Sequence, residues 1–426
     1  MNTVLPSSVL AAGAAGFLAR FEGLRDRLPG DAAVREAAAD AFRTAGLPSV
    51  RQEAWRYTNL RPMAEQGFHG PLTPAIGGTD LLARLPAIAA PRIVLVDGRF
   101  RADLSVMPTG MMTESFAAEP AFGGLARPER ESLAALNTML AQDGAVITVP
   151  TGHDGGTLLL VSLASGTAAR PVAFHPRHVL RLEAGARLTV IEVAAGEGVY
   201  LHNPVSEITV GKDAHLAHIR LQDESHDAFH LATIYADVAG GGTYDGFSLI
   251  LGARLGRTEI HARLTGTGAA AHLNAAQLLG GTQHADFTTI VSHDAPGCAS
   301  RQTVKSVLTD HARGVFQGRI EVARIAQKTD GYQMNQALLL SPDAEIDCKP
   351  ELEIFADDVK CSHGATVGEL DPEQLFYLRS RGIALADARA ILVRAFLAEA
   401  LDPITHEPAR AALEHAVENW WTRQVA

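Results

Sequence analysis

Between about residue 145 and residue 370 the chain alternates apolar and polar residues in short runs. In AHIRLQ, Ala217, Ile219 and Leu221 share one face and His218, Arg220 and Gln222 the other, the period of two that marks a β-strand. LATIYADV repeats it, with Ala232, Ile234, Ala236 and Val238 set against Thr233, Tyr235 and Asp237. Glycine, alanine and aspartate punctuate the runs. The turn-plus-strand units GARLTVIEV, KDAHLAHIRL, GGTYDGFSLIL and GAAAHLNAAQLL recur at about 28 residues, and GCASRQTVKSVL follows at about 29. ARGVFQGRIEV arrives after roughly half that interval and PDAEIDCKPELEI about 30 later. A fixed period without helix-length inserts predicts a β-helix-like solenoid, in which each turn buries its face against its neighbours. A β-sandwich is the competing reading, but its strands need keep no constant spacing.

Helical patterns flank this core. VLAAGAAGFLARFEGL predicts an amphipathic helix. A signal peptide fits it less well, because no basic residue precedes it and Arg20, Glu22, Arg25 and Asp26 continue the pattern. DAAVREAAADAFRTAGLP predicts a helix capped by Asp31 and stopped by Gly46 and Pro48. RQEAWRYTNLRPM fits neither period, PRIVLVDGRF reads as a short strand and turn, and ESLAALNTMLA as a helix. Beyond the repeat, Asp371-Pro372-Glu373 is a helix start, with Asp as cap and Pro at the first position. QLFYLRSRG, LADARAILVRAFLAEALDP and EPARAALEHAVENWWTRQ continue as helices, and Ile391, Leu392, Ala395, Phe396 and Ala400 form an apolar stripe. The expected division is therefore a mostly helical region with a short strand segment (1–144), a β-helix core (145–371) and a helical region (372–426). The tail either packs on its own solenoid or presents a face to a partner.

Composition narrows the function. The 426 residues carry a formal charge of −11, against the basic face a nucleic-acid binder needs. No run of about 18 uncharged apolar residues is present, so no membrane span is expected. Three cysteines, Cys298, Cys348 and Cys361, make neither a disulfide framework nor a CxxC, which points to a reducing cytoplasm. GxxxxGK[ST], GxGxxG after a strand and GxSxG are all missing, so phosphate-loop, dinucleotide and serine-hydrolase chemistry find no support.

What remains is DDVKCSHG, residues 357–364. On a strand, Cys361 and His363 point the same way with Cβ atoms roughly 6.5–7 Å apart, and Val359 shares their parity. An inward cysteine and histidine read as core packing. They also read as two ligands of an iron, zinc or copper site that needs further ligands from elsewhere. Nucleophilic Cys–His catalysis fits poorly, since an inward pair leaves little room for substrate. The other histidines read mostly as polar strand faces, and strand parity scatters His215, His218, His226 and His230. Asp357, Asp358 and Lys360 suit either a solvated turn or the acid–base groups of a β-helix carbohydrate enzyme.

EAWRYTNL near residue 53, the run from Arg301 to Gly382 that contains CSHG, and YLRSRGIALADARAILVRAFL together resemble the SufB/SufD family of iron–sulfur cluster assembly proteins, on its SufD side. The resemblance implies a right-handed parallel β-helix with helical ends and a scaffold without catalysis of its own. It also implies pairing with a SufB-like paralogue and binding of a SufC-like ABC ATPase through the C-terminal helices. Cys361 and His363 fall on the family's C-[ST]-H-G element, which implies a cluster-assembly site shared with SufB. By the same likeness the chain alone holds no stable cofactor, the cluster is transient in the complex, and Cys298 and Cys348 are structural. Homodimerisation through the same edge is expected when SufB is absent. A β-helix carbohydrate enzyme and a stand-alone Cys/His metalloprotein remain the alternative readings.

Overall fold

The computed structural model describes residues 6–71 and 78–425. Its centre is a parallel β-solenoid of about 8 turns, the architecture that the period predicts. Successive strands alternate between two sheets. One of ten strands ends at Lys360–Gly368, and one of eleven ends at Glu345–Ile354.

One corner of the coil explains the constant spacing. Asp213, Gly241, Gly268, Gly297 and Lys328 sit one turn apart and all have positive φ. Each donates its amide to a carbonyl of the next turn, as in Gly241 N to Thr267 O at 3.0 Å and Gly268 N to Pro296 O at 3.1 Å. A left-handed residue recurs at this place in every turn, which favours glycine or aspartate, found at four of the five positions, with Lys328 the exception.

The lumen is filled by Leu158, Val190, Leu216, Leu273, Phe287 and Phe316 among others. A second apolar layer lies outside the ten-stranded sheet, where Ile219, Leu221, Phe247 and Leu278 meet Val393, Leu397, Leu413 and Trp420 of the helices Leu385–Leu401 and Glu407–Val425. The tail therefore packs largely on its own solenoid. The buried line is Val393, Leu397, Ala400 and Leu401, whereas Ile391 and Ala395 are exposed. The expected stripe is rotated, because the helix meets a flat sheet and uses a narrower face than its apolar content suggests.

The outer cover also settles which side of the AHIRLQ strand faces inward. Ile219 and Leu221 face outward under the helices, so His218, Arg220 and Gln222 face the lumen and are buried. His218 Nε2 lies 2.9 Å from Glu192, and Arg220 Nε lies 3.3 Å from the same carboxylate. Strand parity does not scatter His218 and His230, since both are buried and the Arg220 guanidinium approaches His230 at 3.5 Å.

The N-terminal helices Pro6–Leu24, Ala32–Ala45 and Ser132–Leu140 cover the early turns of the eleven-stranded sheet through Phe17, Phe21, Phe42 and Leu136. Asp31 caps the second of them by accepting from Ala33 N at 2.8 Å. EAWRYTNL is the clamp that reaches further along the coil. Glu53 pairs with Lys349 at 2.7 Å, the Trp55 ring lies under the Arg257 guanidinium at 4.2 Å, and Thr58 donates to Asp286 at 2.5 Å. Its residues are spaced to meet successive solenoid strands, which is why neither a helix nor a strand period fits them.

Candidate functional site

The two ends of the solenoid differ. At the early end both sheets finish in antiparallel strands, Arg99–Phe100 and Met112–Ser115, and Phe100 and Met111 pack against the lumen. At the late end, among the described residues, Lys360–Gly368 pairs only with Asp330–Leu339, and Glu345–Ile354 only with Arg313–Val322. Both final strands leave one ladder edge unpaired.

Cys361 and His363 sit on this rim. Register puts Cys361 opposite Gly331 and His363 opposite Gln333, and both partners are buried lumen residues. The pair therefore points toward the lumen, but no further turn covers it. His363 is exposed and Cys361 half-buried. Cys361 packs beside Ile320, Leu352 and Val359, so its parity with Val359 holds. Burial pushes the Cys361 thiol up, against a backbone hydrogen bond from Gly331 that favours the thiolate. It stays protonated near neutrality and must lose that proton to bind a metal.

The layer beneath the rim is polar. Gln302, Gln333 and His363 form one column across neighbouring strands. Gln333 Oε1 and Asn335 Oδ1 are buried without hydrogen-bond partners among the described residues. Asn335 Nδ2 reaches Cys348 Sγ at 2.7 Å on the opposite sheet. Cys348, read from the sequence as structural, thus lies on the lumen side of the other unpaired strand. Its signal was available as strand parity, together with polar Gln302, Gln333 and Asn335 on the inward face of the last turns. Cys298 is fully buried at a corner, its thiol 3.3 Å from Gly266 O, and packs as a small core residue.

Among the described residues, the groups of three or more converging ligands are His202 with Glu224 and His230, and Glu131 with Glu259 and His261. Neither contains Cys361 or His363, so the rim supplies fewer than three ligands by itself. Asp357 and Asp358 occupy the last corner of the coil. Asp358 O accepts from Lys328 N at 2.7 Å and its carboxylate pairs with the Lys328 ammonium, the turn role rather than paired acid–base groups in a cleft.

Comparison with known proteins gives a consistent result. Residues 164–396 match the family model described as SUF system FeS cluster assembly, SufBD core domain, and residues 31–155 match the SufBD protein N-terminal region. The chain is 36% identical over 369 residues to the iron–sulfur cluster assembly protein SufD of Escherichia coli, covering 85% of this chain and 86% of that protein. It is 31% identical over 412 residues to a SufBD family iron–sulfur cluster assembly protein of Synechocystis, covering 90% and 89%.

Proposed function

The chain belongs to the SufBD family of iron–sulfur cluster assembly proteins, and from that premise we propose that it is a scaffold subunit whose open rim is completed by a second family member, a SufB-like paralogue. The observation that carries this reading is an exposed imidazole on an unpaired strand edge, above buried acceptors that lack partners among the described residues. A second solenoid docked rim to rim satisfies the edge by strand pairing and adds ligands to His363 and Cys361. The cluster is cargo, built between two chains and passed on, and this chain performs no catalysis alone. Energy for the cycle comes from a SufC-like ATPase, in keeping with the absence of a phosphate loop here. Helix Pro372–Ser380 supports that docking, because none of its residues is buried and Phe376 and Tyr377 are 75% and 57% exposed. Three free thiols suit a reducing cytoplasm.

The test is co-expression of the full chain with SufB-like and SufC-like partners. His363→Ala should leave the complex assembled and abolish most of its cluster absorbance. A complex that matures clusters at the normal rate without this imidazole overturns the role assigned to it.

A further inference from the structure

A groove of about 890 Å³ runs along the outer face of the eleven-stranded sheet, walled by the segment that leads into helix Ser132–Leu140. It reaches Glu353 and Phe355 at the last strand, but Glu131, Glu259 and His261 stand at its other end, with two strands between Glu259 and His261 and that edge strand, and apart from Cys361 and His363. We propose that Glu131, Glu259 and His261, within this groove, form a binding site for a divalent first-row transition ion.

The fold brings the three together from two directions. Glu259 and His261 stand two residues apart on strand Leu255–Leu264, and so share its outer face. Glu131 arrives from the cap position of the helix on the opposite wall, where its side chain makes no capping hydrogen bond. The ligand atoms of all three lie within 4.8 Å of one another. His261 Nε2 is 2.9 Å from Glu259 Oε1, and the ring is fixed from above by Tyr235, stacked at 4.9 Å with planes 16° apart.

Charge gives the first reason to expect a cation. The Arg257 guanidinium pairs with Glu259 at 2.8 Å and Asp286 at 2.5 Å, and the His261 ring meets Glu259 at 2.9 Å, so both of these carboxylates are served. Glu131 is a third, and no side chain among the described residues pairs with it. A divalent ion bound to two carboxylates and a neutral imidazole would give Glu131 the partner it lacks, with release of any proton that the ligands carry.

An independent reason is the Tyr235 hydroxyl. The residue is 5% exposed and lines the same groove, yet its oxygen makes no well-formed hydrogen bond, with only the Arg127 backbone alongside. A buried phenol left so is unusual, and a water on a bound ion would supply its partner. One imidazole with two carboxylates suits Mn²⁺, Fe²⁺ or Zn²⁺ rather than a thiolate-seeking ion.

The test uses the full chain, stripped by a chelator and titrated near neutral pH with Zn²⁺ and, as a spectroscopic probe, Co²⁺. One equivalent should bind, with weak visible cobalt bands and no sulfur-to-cobalt charge transfer. Glu131→Gln and His261→Ala should each weaken Zn²⁺ binding at least about tenfold, and Tyr235→Phe by about tenfold. Cys361→Ser should leave it unchanged. Glu131 lies at the groove wall, so Glu131→Gln keeps the test valid if His261→Ala fails to fold. Absence of binding, a thiolate charge-transfer band, or unchanged affinity in Glu131→Gln overturns the proposal.

Discussion

Enclosure in the lumen keeps His178 neutral. Loss of solvent pushes its pKa down to about 4. Glu192 favours the protonated ring, while His202, His218 and Arg220 oppose it. The Nδ1 atom also accepts from Ala145 N at 3.2 Å, a bond that a second ring proton would abolish. Because the unfolded chain titrates near 6.5, it takes up this proton before the folded one as pH falls. The stability is full above that value and is lost progressively down to about 4, amounting to about 2 kcal/mol at pH 5. Glu192 adds to the trend. Although burial opposes its ionisation, Arg220 and His218 hold it well below the usual range, so its contribution is present above about pH 4 and lost in stronger acid. Thermal melts from pH 7 to pH 4 should show a steep decline that His178→Gln, which keeps an acceptor, makes shallower. At this scale the sequence showed the alternation in AHIRLQ but not which side faced inward. Apolar Ile219 and Leu221 met helices more than 160 residues away in the chain, a fact that local periodicity does not carry.

Among elements, the last strand offers the sharpest test. Lys360 N donates to Thr329 O at 2.8 Å, so by the alternation of a parallel ladder residues 361, 363, 365 and 367 turn their amides to the open edge. Ala365→Pro removes one such free donor and no existing ladder bond. It should shift the chain's own stability by no more than about 1 kcal/mol while abolishing rim pairing in gel filtration with the partner. The N-terminal clamp is predicted to matter for stability instead. Trp55→Ala deletes a buried ring beneath Arg257 and should cost about 3–5 kcal/mol by denaturant melt. The strands and corner turns were legible because a positive-φ residue recurs in every turn. The clamp was legible only as a motif, since its residues meet Arg257, Asp286 and Lys349, which no local pattern links.

For the molecule as a whole, the repeat disclosed the architecture, and the resemblance around CSHG disclosed the family. The composition of the site stayed partly hidden. Cys348, Gln333 and Asn335 reach the rim through strand register, and the Glu131 groove joins segments more than 120 residues apart. If the proposed rim pairing holds, the chain on its own should double its mass by light scattering, and Ala365→Pro should hold it at the single-chain value. A chain that stays single at all concentrations would refute self-pairing.

The mismatched ends set a limit on that growth. A coil with two free ends stacks head to tail without stopping, as fibres do. Here one terminus ends in reversed strands with two large side chains against the lumen, so an open parallel edge is offered at the late end alone. Were two such ends to join, both would be consumed, and the assembly would close at two members however concentrated it becomes.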